Sequence, residues 1–271
     1  MIPKRIFYVW GANEPLRESV KKYIDSWKKF LPDYEIIQID EESKKYFDFQ
    51  KELDINKWFN TVYAKKMWAY VSDYVRVKTL FDNGGIYLDT DVEVLKSFDD
   101  LLSEPAFVGI QNIYYTEPAI LGAQKNNPFL RNVLEFYKED IWNSKLYKIP
   151  QIFEKFLSKE KGYAGYKVKE KQEIINLKDI SVFPQKYFIP FNGMQSYKEE
   201  YITPETYTIH WFGGSWVKPE FLFFLDNKHK KSVEELNEFY EKNKIDIIRR
   251  YKVLDLWGKK IIKGETNSVE Q

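Results

Sequence analysis

Hydrophobic and polar positions at the start of the chain alternate between strand-like and helix-like segments. Ile6-Phe7-Tyr8-Val9-Trp10 is a β-branched and aromatic run broken by Gly11-Ala12-Asn13, which predicts a first strand. From Leu16 to Phe30 the apolar residues fall at helical spacing, with Val20, Tyr23, Ile24 and Trp27 inward, and Pro32-Asp33 stops the helix. Tyr34 to Asp40 predicts a second strand. Strand, helix and strand in this order predict a βαβ unit and a parallel sheet. A second helix is predicted from Thr61 to Phe81, with Tyr70, Tyr74, Val77 and Phe81 as one buried stripe. Asn83-Gly84-Gly85 supplies the left-handed positions that end it. Ile86-Tyr87-Leu88 is then a short strand with Asp89-Thr90-Asp91 at its C-terminal end, the edge at which open α/β sheets bind ligands. Val92 to Leu95 is predicted to continue as strand.

Further strands are predicted at 107–110 and 119–123, a helix opening on Pro128 and running to Tyr137, and strands of unassigned order near 166–183 and 206–212. From Val233 the chain turns helical and lysine-rich. The expected organisation is an α/β domain over residues 1–225 and a helical, basic extension over 226–271.

Composition narrows the function classes. With 42 Lys and Arg against 41 Asp and Glu, no overall charge draws the molecule to nucleic acid, so no nucleic-acid partner is expected. The absence of cysteine excludes disulfides and thiolate metal sites. No signal peptide and no apolar span is legible, and a cytoplasmic protein is expected. Aromatic residues make up 18% of the chain, which fits either an aromatic-rich core or a site where flat rings meet sugars and bases.

Two aspartates flanking one residue at a strand end point to a common side of the turn. Hard cations such as Mg²⁺ or Mn²⁺ take oxygen ligands and keep positions open for phosphate oxygens. Taken alone, Asp-x-Asp is weak evidence, since it is usually a solvated acidic turn. Asp73 and Arg76 share a helix face at i, i+3, with small Ala69 one turn earlier, and read either as an intrahelical ion pair or as a polar clamp for sugar hydroxyls.

Ser72-Asp73-Tyr74-Val75-Arg76 followed by Leu80-Phe81-Asp82-Asn83-Gly84-Gly85-Ile86-Tyr87-Leu88-Asp89-Thr90-Asp91 resembles glycosyltransferase family 32. That group holds yeast-type initiating mannosyltransferases and bacterial capsular polysaccharide transferases, with the clostridial glucosylating toxins more distant. The opening Ile2-Pro3-Lys4-Arg5-Ile6-Phe7-Tyr8-Val9-Trp10-Gly11 is similar to the family's first strand, and the likeness is good over residues 1–125. It implies a GT-A-like α/β fold, a divalent cation (Mn²⁺ or Mg²⁺) and a retaining transfer with an α-linked product. By the same resemblance, Asp73, Arg76, Asp89 and Asp91 form the catalytic set. Asp91 ligates the metal, and Asp89 meets the donor and the metal shell. Asp73 and Arg76 hold donor-sugar hydroxyls, with Ser72 and Tyr87 lining the pocket. Trp10 stacks on the base beside Tyr8 and Val9, although core packing is the other reading of that tryptophan.

His210-Trp211-Phe212-Gly213-Gly214-Ser215-Trp216 is similar to the family's late motif, which implies His210 as a further metal ligand and Ser215 and Trp216 at the diphosphate. The toxins separate that serine and tryptophan by one residue, so these two positions depart from the pattern; a satisfied strand histidine is the alternative for His210. The implied donor is a nucleotide diphosphate sugar, a UDP-sugar first with GDP left open, and the implied acceptor is a surface polysaccharide or lipid-linked oligosaccharide. Between Lys242 and Lys263 eight basic residues stand against Asp246 and Asp255, which suggests peripheral contact with the inner face of the cell membrane. A metal-dependent nucleotide-sugar hydrolase and a silent glycan- or nucleotide-binding module are the rival readings.

Overall fold

The computed structural model describes residues 1–112, 114–165, 172–191, 197–212 and 218–263; the side chains of residues 219 and 250–263 lie outside that description. β1 (Arg5–Val9), α1 (Glu18–Phe30) and β2 (Glu35–Ile39) make the βαβ unit, with β1 and β2 parallel from Arg5↔Glu35 to Val9↔Ile39. α1 buries Val20, Ile24 and Trp27, while Tyr23 is only partly buried. The Trp27 indole N–H donates to the Val92 carbonyl at 2.8 Å, so α1 is tied to the segment beyond the aspartates.

The helix predicted over 61–81 is two helices. α2 (Phe49–Ile55) is followed by α3 (Lys57–Ala64) and α4 (Trp68–Asn83), and α3 and α4 are separated by a left-handed residue, Lys66, at φ 56°. The Lys66 N–H donates to Tyr63 O at 2.8 Å and the Met67 N–H to Val62 O at 2.9 Å, the paired bonds of a Schellman stop. Val62, Met67, Tyr70, Val71 and Tyr74 all enter one core, so apolar periodicity runs straight through the break and conceals it. Tyr70, Tyr74 and Val77 form the expected stripe; Phe81 is partly exposed.

Gly84, at φ 67°, closes α4 with its N–H on Leu80 O, and β3 (Gly85–Leu88) follows at once. A Cβ at Gly85 would sit 2.8 Å from the Phe7 ring at a φ of 133°, so only glycine lets β3 lie against β1 here. β4 (Val92–Val94) does not extend β3. It turns away and pairs antiparallel with β9 (Thr208–His210), setting Val92 opposite His210.

The main sheet runs β2-β1-β3-β6-β5-β8-β7, where β5 is Ala106–Ile110, β6 Thr116–Ala123, β7 Ile175–Asn176 and β8 Ser181–Phe183. β1 is parallel to both β2 and β3, whereas β3 and β5 are both antiparallel to β6, so the sheet is mixed rather than parallel throughout. α5 (Pro128–Glu135) opens on its proline, capped by the Asn127 side chain, and α6 (Ile149–Leu157) and α7 (Gln185–Phe188) follow. One core lies between the sheet and α3 to α6; a second lies between the sheet, α1 and β4. α8 (Pro219–Asn227) and α9 (Val233–Lys263) pack together, with Phe223 stacked on Phe239 at 5.9 Å. The expected boundary at 225 and 226 falls inside α8. Phe223, Phe224, Leu225, Leu236 and Ile247 belong to the first core, so these helices are buried against the α/β domain. No helix among the described residues is long and apolar enough to cross a membrane.

Candidate active site

Three elements converge at the C-terminal edge of β1 and β3. Because β1 lies between β2 and β3 in the sheet, the chain leaves β1 to opposite sides, and the crevice between β1 and β3 is a topological switch point. The register Phe7↔Tyr87, carried forward two residues, sets Val9 level with Asp89. Trp10 follows directly, its indole N–H donating to Glu14 O at 2.8 Å and one face lying 5.8 Å from the Arg17 guanidinium. Tyr8 is buried in the second core, its hydroxyl donating to Gln38 Oε1 at 3.0 Å.

Arg76, from α4, is the hub. It is 4% exposed, and its Nη2 and Nη1 make a two-pronged contact with Asp89 Oδ1 at 3.1 Å and Oδ2 at 3.2 Å. Nη1 also donates to Pro118 O at 2.8 Å, Nε to Ser72 O at 3.3 Å, and Nη2 to Ser72 Oγ at 3.3 Å, with Asp73 Oδ1 at 3.0 Å. All five guanidinium N–H groups are thereby engaged within the protein. The resemblance gave Arg76 to donor-sugar hydroxyls; here its donors go to Asp89 and the backbone that frames it. The Tyr87 ring lies under the guanidinium at 4.6 Å, and its hydroxyl donates to Asp89 Oδ1 at 2.9 Å. Asp89 is therefore held on both sides.

Asp91 is placed by the turn. Val92 N–H donates to Asp89 O at 3.0 Å, and Trp211 N–H to Asp91 O at 2.9 Å, so β9 clasps the acidic loop. His210 Nε2 lies 3.2 Å from Asp91 Oδ1, and one ligand atom each from Asp89, Asp91 and His210 lie within 4.8 Å of one another. Adjacent ligands of a six-coordinate ion with bonds of about 2.1 Å stand about 3 Å apart, so Asp91 and His210 already span one edge of such a shell. Two carboxylate oxygens and one imidazole nitrogen suit Mn²⁺ or Mg²⁺ with positions left for phosphate oxygens. His210 Nδ1 is buried without a partner among the described residues.

The electrostatics show a site overloaded with negative charge. Burial pushes Asp73 up to about 7, with Arg76 pulling it down and Asp89 and Glu117 pushing it up. Burial also raises Asp89, with Arg76 opposing and Asp91 reinforcing. For Arg76, burial works against the charge, but Asp89, Tyr87 and Asp73 hold the guanidinium protonated. His210 is raised although burial opposes it, because Asp91 bonds to the ring and Glu117 and Asp89 add their fields.

The structure brings Asp73, Arg76, Tyr87, Asp89, Asp91 and His210 together, with Ser72 beside Arg76 and Val9 and Trp10 on the same sheet edge. Ser215 and Trp216 lie outside the described residues. Glu117, on β6, belongs to the same field and was not anticipated. It sits outside every motif, and only the pairing of β6 with β3 brings it near.

Residues 17–108 match the family model described as "Glycosyltransferase sugar-binding region containing DXD motif". The resemblance to the DXD glycosyltransferases holds. The chain is also similar, at 32% identity over 140 residues, to inositol phosphoceramide mannosyltransferase 3 of Schizosaccharomyces pombe, covering 49% of this chain and 36% of that one. A human alpha-1,4-N-acetylglucosaminyltransferase is 25% identical over 163 residues, 56% of this chain and 44% of its own length. The chain thus spans less than half the length of these relatives. Among solved structures, the PaToxG glycosyltransferase aligns with a TM-score of 0.49 at 24% identity over 63% of this chain and 73% of that one.

Proposed function

We propose that the chain is a retaining, divalent-metal-dependent glycosyltransferase that moves a hexosyl residue from a nucleotide diphosphate sugar, a UDP-sugar first, to a glycan or lipid-linked oligosaccharide. The observation that carries this reading is the convergence of Asp89, Asp91 and His210 within 4.8 Å at the switch point of the sheet, with both aspartates in the stretch that matches the DXD sugar-binding region. Two carboxylates and a diphosphate repel one another, by about 1 kcal/mol for each unit pair at 4 Å in water and several times that in a sheltered cleft. A divalent ion held by Asp89, Asp91 and His210 reverses that field and stabilises the nucleoside diphosphate as a leaving group.

The remaining residues have supporting tasks. Arg76 and Tyr87 fix the carboxylate of Asp89, so that its orientation costs nothing when the donor arrives. Asp73, its carboxyl pushed up to about 7 by burial, is suited to exchange hydrogen bonds with sugar hydroxyls. Trp10 and Val9 border the crevice from the β1 side, where a base would lie. Ser215 and Trp216 are assigned to the diphosphate on the family's late motif alone. A cytoplasmic location, with the basic C-terminal segment against an anionic membrane surface, suits a lipid-linked acceptor.

A panel of UDP- and GDP-sugars, assayed for release of nucleoside diphosphate with Mn²⁺, with Mg²⁺ and in excess EDTA, tests the reading. Turnover is expected with the metals and not in EDTA. Asp91→Asn, which keeps shape and removes charge, is expected to lose metal-coupled donor binding while remaining folded. Undiminished turnover in EDTA would overturn the metal assignment; release of free sugar with every acceptor supplied would make the protein a hydrolase.

A further inference from the structure

β6 carries an irregularity next to the site. Its pairing with β5 runs Ala106↔Ala123, Phe107↔Gly122 and Val108↔Leu121, then jumps to Gly109↔Glu117 and Ile110↔Thr116. Pro118, Ala119 and Ile120 are thus extra on the β6 side, a bulge that bends the strand and re-aims the residues at its edge. Two residues of the candidate site hold this bulge in place. Arg76 Nη1 donates to Pro118 O at 2.8 Å, and the Asp89 N–H donates to Ala119 O at 2.9 Å. Glu117 is the residue immediately before those two anchored carbonyls.

The Glu117 side chain is partly exposed and has no hydrogen-bond or ion-pair partner among the described residues. Its charge is nonetheless felt by Asp73, Arg76 and His210, and Asp89 and Asp91 act on it in return. It lies outside the three ligand atoms that stand within 4.8 Å of one another, so it is beside the metal cluster and not in it. Two residues earlier, just ahead of β6, is Tyr115, itself exposed, with Tyr114 next to it 67% exposed. Asn112 Oδ1 accepts from the N–H groups of Tyr114 and Tyr115 at 2.8 and 3.0 Å, which fixes both backbones. A carboxylate without a partner among the described residues and an accessible ring two residues away supply the chemistry that recognises a pyranose, hydroxyl to oxygen and apolar face to aromatic face.

We propose that Glu117, on the bulged start of β6, and Tyr115, in the turn just ahead of it, form the acceptor subsite: the Glu117 carboxylate accepts a hydrogen bond from the incoming sugar hydroxyl and the Tyr115 ring packs on the acceptor pyranose. The inference rests on the glycosyltransferase reading above. It gives Asp89 a second task, because the bulge that places Glu117 is tied to the Asp89 backbone and to the arginine that holds its carboxylate.

The test compares wild type with Glu117→Ala, Glu117→Asp and Tyr115→Ala, using the UDP- or GDP-sugar that turns over and a panel of p-nitrophenyl glycosides as acceptors. Binding of the matching nucleoside diphosphate with Mn²⁺ is measured alongside by calorimetry. Glu117→Ala is expected to lower kcat/KM for the acceptor roughly 10- to 100-fold, the worth of a hydrogen bond to a charged group. Tyr115→Ala is expected to raise the acceptor KM, and Glu117→Asp to recover part of the loss. Nucleoside diphosphate affinity should stay within about twofold of wild type, whereas collapse of the bulge would weaken it as well. Unchanged acceptor kinetics in Glu117→Ala overturn this inference and leave the glycosyltransferase reading standing. So does a parallel loss of metal-coupled nucleotide binding, which would make Glu117 part of the donor side. Failure of wild type to turn over any donor overturns the glycosyltransferase reading, and this inference with it.

Discussion

Arg76 shows how much one side chain can organise. Its planar fork meets Asp89 with two bonds and Pro118 O with a third, and lysine has neither the plane nor the reach to replace them. Arg76→Lys keeps the charge but leaves an Asp89 oxygen and the Pro118 carbonyl without a donor. Each buried group left so costs roughly 1–3 kcal/mol. We expect a clear loss in chemical denaturation and weaker nucleotide binding; a variant as stable as wild type would show that the fork does not hold Asp89. Trp10 is the other single-residue test. Its ring is partly exposed at the switch point and is tied down by Glu14 O, so truncation removes little core. Trp10→Ala should weaken uridine diphosphate binding about 5- to 150-fold, the worth of one stacked base, with stability nearly unchanged. Equal affinity in a folded variant would remove Trp10 from the donor pocket.

At the scale of elements, the α3–α4 break decides where Asp73 and Arg76 point. A continuous helix would carry α4 on the axis of α3; the Schellman stop at Lys66 re-aims it toward the edge of β3. That stop uses an exposed lysine at φ 56°, a conformation that costs residues with a Cβ about 1–2 kcal/mol. Lys66→Gly should therefore raise stability, by about 0.5–1 kcal/mol once glycine's greater freedom in the unfolded chain is counted. Gly85→Ala should do the opposite, since its Cβ would meet the Phe7 ring at 2.8 Å. Midpoints of urea unfolding read both. A Lys66→Gly protein less stable than wild type would mean that the lysine side chain itself holds the turn.

Across the whole molecule, the C-terminal helices reach the site through the 141–149 segment. Lys228, at the end of α8, is 3% exposed and donates to the carbonyls of Ile141 and Ser144; a few residues on, the Ile149 backbone bonds to Asp73. Burial lowers the Lys228 ammonium from 10.5 to about 8. Between those values the unfolded chain holds more protons than the folded one, so this group makes stability rise with pH across that window, and its cost is fully present below it. Lys228→Met lacks the titration. It should be less stable than wild type, by about 1–3 kcal/mol for the orphaned carbonyls, and the gap should widen as pH rises from about 7.5 to 9.5. A gap that stays constant would mean that the ammonium keeps its hydration.

Local chemistry was enough to read β1, α1, β2 and β3, because each carries its own period and local breakers bound them: Gly11 after β1, Pro32 between α1 and β2, and Gly84 ahead of β3. The Asp-x-Asp turn and the Asp73–Arg76 pair were legible for the same reason, being fixed by spacing along one strand end and one helix face. What could not be read was anything set by contact between distant segments. The apolar period ran through Lys66 because α3 and α4 share a core, so two helices looked like one. Most of the aromatic residues, Phe47, Phe49, Phe59 and Tyr74 among them, pack against one another, a use that composition could not separate from ligand binding. His210 meets Asp91 across more than a hundred residues because β4 leaves the main sheet to pair with β9. Glu117 enters the field of the aspartates through a bulge whose register depends on two neighbouring strands at once. Periods, caps and short motifs are properties of consecutive residues and survive in the one-dimensional chain; strand partners, bulges and buried charge exist only when separate segments exclude water from one another.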